Sequence, residues 1–166
     1  MITEPLLNEF RQEVATTRRV LERVPEQKLT WKPHAKSMTL GQLASHIASV
    51  PGSVARIVQQ DSFDVNNGNF IPSQPKDMKE VLTTFEQSAK DAEQCLQNMT
   101  DDQARANWRL LRGDQTLMNL PRVGFVRSIM MNHWYHHRGQ LSVYLRLLDV
   151  PVPSIYGPSA DEAPFA

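Results

Sequence analysis

Apolar positions recur along most of this chain at the three- and four-residue spacing of a helix that buries one face. Leu6, Phe10, Val14, Val20 and Leu21 form much of such a stripe over residues 4–24, and Pro25 closes it. A connection over 26–38 carries Trp31-Lys32-Pro33. Thr39-Leu40-Gly41-Gln42 then has capping-box spacing and opens a second helix. Leu43, His46, Val50, Val54 and Ile57 lie on one face of it, within about 80° at ~100° per residue. Pro51-Gly52 should kink or break that helix. Residues 61–76, rich in Asn, Ser, Gly and Pro, read as a long crossing loop of the kind that is functional or topologically required.

Asp77-Met78-Lys79-Glu80 caps a third helix over 77–99, with Met78, Val81, Leu82, Phe85, Ala89, Ala92 and Leu96 inward. Residues 100–103 could start a short turn. The polar stretch 111–118, holding Arg112-Gly113-Asp114, reads as a turn or short hairpin. The fourth and longest helix spans 119–148, with Pro121 in its first turn, where a missing N–H does no harm. A Pro-rich tail, 150–166, follows and is expected to pack on the bundle. No strand-like alternation of useful length appears. The expected fold is therefore all-α: a four-helix bundle with at least one long crossover.

Length and composition narrow the partners. The 166 residues make one domain, large enough to bury roughly two-thirds of its unfolded surface. Eighteen basic residues balance eighteen acidic ones, which argues against nucleic acid and against an anionic membrane as partner. No apolar run is long enough to span a bilayer. The opening MITEPLLNEFRQEV turns polar too early for a secretory signal, and the single cysteine, Cys95, excludes an internal disulfide framework. The expected compartment is a reducing cytoplasm.

The chemistry concentrates in the fourth helix. His133 and His137 sit one turn apart, about 40° from each other. Val126, Met130, Leu141, Tyr144 and Leu148 point the same way to within roughly 80°. The histidines thus face the core, where an unpartnered imidazole costs about 1–3 kcal/mol. His46 is the other histidine on an apolar helical face, and facing helices of a bundle deliver ligands to a common core site. His46, His133 and His137 therefore make a three-nitrogen metal site. The competing reading is a metal-free cluster bonded to Tyr144, Gln140 or backbone carbonyls. His136 lies nearer the edge of the stripe and is left to support or pack, and His34 falls in a loop. Trp134 follows His133, so the turn lacks the glutamate of a metalloprotease HExxH.

The segment Leu43-Ala44-Ser45-His46-Ile47-Ala48, the stretch Asn132-His133 to His136-His137-Arg138-Gly139-Gln140 and the Pro-rich tail through Tyr156-Gly157-Pro158 resemble the DinB family, the YfiT-like metal-dependent group. The resemblance covers nearly the whole chain. It implies an up-down-down-up bundle, commonly a homodimer, with a divalent metal on three histidines that map to His46, His133 and His137. It also implies enzymes that use low-molecular-weight thiols. Three neutral ligands leave the full charge of zinc, nickel or iron for a fourth ligand, acidifying water or deprotonating a thiol.

The expected function is thus a metal-dependent enzyme acting on a small molecule, a thiol S-transferase type of transferase. Its alternatives are a metal-dependent hydrolase or a non-catalytic, stress-associated metal-binding protein. Arg138, Gln140 and Tyr144 are the candidate catalytic residues. Cys95 is read as a small buried residue. Met131 and Tyr135 are expected to project opposite the histidines, which marks a surface for self-association. The tail is expected to bring Tyr156 or Asp161 over the site.

Overall fold

The computed structural model describes residues 1–163; the last three residues of the expected tail, 164–166, lie outside the described residues. Three long helices come first: α1 (Glu4–Leu21), α2 (Leu40–Val58) and α3 (Met78–Asn98). A short α4 (Asp101–Arg105) follows. The last helical run is built of α5 (Arg122–Phe125), a π-helical segment (Val126–Asn132) and α6 (His133–Leu147).

Side-chain pairs fix the helix directions. Arg11 meets Glu93 and Arg18 meets Glu86, so α1 and α3 run antiparallel. The Gly52 N–H donates to Ser88 and the Cys95 thiol to the Ala55 carbonyl, so α2 and α3 run parallel. Tyr144 bonds to Met38 while Arg122 bonds to Val58, which sets α6 antiparallel to α2. The order is up-down-down-up. Parallel neighbours need a connection as long as the helix, which is why the crossing loop exists.

Local sequence explains most of the boundaries. Thr39 accepts from the Gln42 N–H at 3.0 Å, and the Gln42 side chain accepts from the Thr39 N–H at 3.0 Å. Asp77 caps α3 by accepting from the Glu80 N–H at 2.8 Å. Helix α6 ends in a Schellman arrangement: the Val150 N–H donates to the Leu145 carbonyl at 3.0 Å and the Asp149 N–H to Arg146 at 3.1 Å. That turn holds Asp149 at φ 57, in left-handed space usually given to glycine.

Helix α2 passes through Pro51 unbroken, so of the kink or break expected there the break does not occur. Proline cannot donate to the carbonyl four residues back, here Ile47. The indole N–H of Trp134 fills that vacancy, donating to the Ile47 carbonyl at 2.9 Å. The neighbouring Gly52 N–H donates to Ser88 Oγ at 2.7 Å. The backbone groups freed by the proline are thus satisfied from α6 and α3.

A small sheet goes beyond the turn or short hairpin expected at 111–118. Strands β1 (Ser62–Asp64), β2 (Asn107–Arg112) and β3 (Gln115–Pro121) pair in the order β1-β2-β3, the first pair parallel and the second antiparallel. Gly113 at φ +55 begins the two-residue turn between β2 and β3, where a primed hairpin turn wants glycine. The hairpin expected at 111–118 is therefore present and longer. Its second strand absorbs Asn119, Leu120 and Pro121, which were expected to begin the fourth helix. Burial alternates only along the first residues of β2 and the last of β3, too briefly to stand out in the sequence, and Trp108 anchors the hairpin against Phe125 with ring centroids 3.9 Å apart.

The π-helical segment changes another expectation. Its i→i+5 turns hold more residues than α-turns, so angles counted backwards from His133 at ~100° per residue do not apply. Met130 and Met131 are both fully buried. Tyr135 is half-buried and donates to Glu9 at 2.9 Å. The apolar outer surface expected from Met131 and Tyr135 does not exist; both residues pack inside the chain.

Candidate metal centre

His46 stands mid-way along α2, His133 opens α6 and His137 lies one turn further on. The same crossing carries the Trp134–Ile47 bond, one residue along from His133 and His46 on each helix. That bond sets the register that brings the imidazoles together. The Nε2 atoms of His46 and His133 are 3.0 Å apart. The His137 ring centroid lies 4.5 Å from that of His46 and 4.4 Å from that of His133. One ring nitrogen from each residue falls within 4.8 Å of the others.

This donor set fits a metal ion. Tetrahedral ligands at about 2.0–2.1 Å from zinc stand about 3.3 Å from each other, so small rotations of the rings would seat an ion. His137 Nδ1 lies 2.7 Å from Gln140 Oε1. An amide oxygen only accepts, so Nδ1 carries the proton and Nε2 keeps its lone pair for the site. Burial first, then the neighbouring imidazoles, pushes His46 down to about 4. Burial also lowers His133 and His137, with the Gln140 bond opposing it at His137. All three are neutral at pH 7, the form in which imidazole binds a metal.

The other residues singled out from the sequence are placed elsewhere. Arg138 is 1% exposed and makes an ion pair with Glu13, with Thr17 Oγ1 at 3.0 Å and the Tyr156 hydroxyl also bonded to it. It lies over the Tyr135 and Tyr156 rings, on the seam between α1 and α6. The Tyr144 hydroxyl donates to the Met38 carbonyl at 3.3 Å, and its ring meets Trp31 edge to face. His136 is exposed, its ring 5.0 Å from that of His137. His34 accepts from the Lys36 N–H in the exposed loop. The tail does not reach the histidines as expected: Tyr156 bonds to Arg138 and Glu13, while Asp161 pairs with Arg146 and takes the Val152 N–H.

His46 and His133 open into a cavity of ≈ 520 Å³ between α2, α3, the π segment and the crossing loop. Its walls include Val50, Val54, Ile57, Phe63, Phe70 and Ile129. Sequence reading flagged that loop for its length but not its aromatic residues, because a loop side chain has no periodicity to say where it points. A second cavity of ≈ 490 Å³ lies by Cys95 and Arg122. Arg122 is committed there, donating to the carbonyls of Val58 and Gln103 at 2.8 Å each. Burial raises the Cys95 thiol, which makes it a poor nucleophile.

The sequence profile of the DinB family matches residues 1–164. The chain belongs to the DinB family. It is 25% identical to the uncharacterized protein YrdA of Bacillus subtilis (strain 168), over 94% of this chain and 89% of that one. In fold it is similar to a DinB-like protein from Bacillus cereus ATCC 10987, with a TM-score of 0.70 and 21% identity over 90% of this chain and 95% of the other. A DinB-like protein of Bacillus subtilis, YjoA, also has a TM-score of 0.70, at 17% identity over 92% of this chain and 98% of that one. These structural likenesses carry the bundle architecture of the DinB chain; its chemistry rests on its own side chains.

Proposed function

We propose that this DinB-family chain is a metal-dependent enzyme whose site is His46, His133 and His137, and that it transfers a low-molecular-weight thiol to an electrophilic small molecule. The observation that carries this reading is the convergence of three neutral imidazoles, two of which, His46 and His133, have Nε2 atoms 3.0 Å apart and line a ligand-sized cavity. A divalent ion held by three neutral ligands lends its charge to a fourth, which favours a thiolate at neutral pH. Zinc, nickel and iron all suit this donor set.

The chain's own residues favour thiol transfer over hydrolysis. Hydrolysis wants a general base near the ion. Among the described residues lining the cavity, Glu80 supplies the one carboxylate, and its oxygen accepts the Lys76 N–H at 2.9 Å. A thiol needs no such base once its proton is lost. Gln140 holds His137 in position, and burial keeps the three imidazoles from competing for protons. Arg138 and Tyr144 serve structure in this reading rather than chemistry.

Cytoplasmic residence and a homodimer complete the proposal. No helix among the described residues is long and apolar enough to cross a membrane. On the outer face of α6, Val143 and Leu147 are 57% and 56% exposed, which gives a second copy an apolar stripe to cover. The function is tested by incubating metal-loaded protein with a low-molecular-weight thiol and a generic electrophile. Conjugation above that of metal-stripped protein is expected; equal rates would count against transfer.

A further inference from the structure

The cavity beside the histidines has a composition that the metal does not require. Along α2 two rows run away from the site side by side: His46, Val50, Val54 and Ile57 form one, and Ser45, Ser49, Ser53 and Arg56 the other. At 1.5 Å per residue the apolar row is about 16 Å long. The crossing loop faces it with Phe63, Phe70, Ile71 and Pro72. Phe70 and Ile71 are 61% and 79% exposed, an unusual outlay of apolar surface unless something covers it. Phe70 meets Phe63 edge to face at 6.3 Å. A Cβ on Gly68 would lie 2.5 Å from the Phe70 ring, so glycine is what lets that ring fold back over the loop.

The charged groups of the cavity, Arg56 and Glu80, are exposed, and each has a polar partner. Arg56 donates to Ser53 Oγ at 3.0 Å and stands 3.9 Å from Asp91. Glu80 is tied to the Lys76 N–H. Neither belongs to the apolar row that leads away from His46.

We propose that this cavity selects its organic substrate by an apolar alkyl or aryl body, laid along Val50, Val54 and Ile57 beneath Phe70, with the reacting end at His46 and His133. The inference rests on the metal-centre reading and adds the substrate class to it. Phe70 is the specificity-determining residue, and burial of its ring by the substrate supplies the selectivity.

Hydroxamates test this without any turnover, because the head binds the metal and the tail enters the cavity. Cobalt(II)-loaded protein is titrated with acetohydroxamate, hexanohydroxamate, benzohydroxamate and the monohydroxamate of succinate, following the visible cobalt absorption. Each buried methylene is worth about fourfold in affinity, so the hexanoyl and benzoyl probes should bind at least about tenfold tighter than acetohydroxamate. Phe70→Ala, at an exposed position, should erase most of that preference and leave acetohydroxamate binding and the probe-free spectrum unchanged. Equal affinities for the acetyl and hexanoyl probes, tightest binding of the succinyl probe, or an unaltered preference in Phe70→Ala would overturn the proposal. Absence of a protein-bound cobalt spectrum before any probe is added would instead bring down the metal-centre reading beneath it.

Discussion

A single amide decides which nitrogen of His137 faces the site. Because Gln140 Oε1 takes the Nδ1 proton at 2.7 Å, the ring is fixed in the tautomer that presents Nε2. Gln140→Leu keeps the volume and removes the acceptor, and should weaken metal binding by about 10–100-fold while leaving the fold intact. A competition titration against a chromophoric chelator reads this directly. The histidines also set a pH dependence. In the metal-free protein His46 is pushed down to about 4 from an ordinary value near 6.5. A depressed imidazole favours the folded state fully above the unfolded value. That contribution is lost as pH falls from 6.5 towards 4, where the unfolded chain takes up the proton first. Urea midpoints of metal-free protein should therefore drop over that window, and His46→Phe should flatten the drop. At this scale the convergence of the three histidines was legible from sequence, since a histidine pair on an apolar face has few ways to be satisfied. Arg138 was a catalytic candidate for its place beside His137; its helical position points it to a neighbouring helix, and that helix is α1, where Glu13 pairs with it.

Among the elements, α2 and α6 depend on each other through Pro51. The proline leaves the Ile47 carbonyl open, and Trp134 closes it. Trp134→Phe keeps an aromatic ring against Phe10 but orphans that buried carbonyl, at a cost of about 1–3 kcal/mol. Because the same contact registers His46 against His133, metal affinity should fall as well. Calorimetric unfolding and the chelator competition separate the two effects. The end of α6 offers a change in the other direction. Asp149 holds φ 57 at the Schellman position. Asp149→Gly should raise stability by about 0.5–1 kcal/mol in denaturant titrations. The four long helices were readable because their stripes repeat over several turns. The sheet escaped because its first strand is three residues long and its hairpin buries little beyond Trp108. The π segment escaped because a wider turn cannot be distinguished from an α-turn in a run that is apolar on several sides.

For the whole molecule, the tail works as a clasp on the bundle. Glu162 bridges Arg19 and Arg23, Asp161 pairs with Arg146, and Tyr156 joins the buried Arg138–Glu13 pair. Removing one member of a buried ion pair strands the other, at about 3–5 kcal/mol. Arg138→Ala should therefore lower the unfolding midpoint strongly, yet leave the metal content of the folded fraction unchanged; loss of metal in folded protein would give Arg138 a part in the site. Sequence composition foresaw a packed tail but placed it over the histidines, because proline spacing sets its stiffness and not its heading. One ion per chain, held by the three histidines, is the expectation on which the proposed chemistry stands. Elemental analysis of protein purified without chelators, run beside His133→Ala, tests it most directly. Close to one divalent ion per native chain is expected, and almost none in the variant. Native protein without metal, or a variant that keeps it, would rule out a metal site on these histidines.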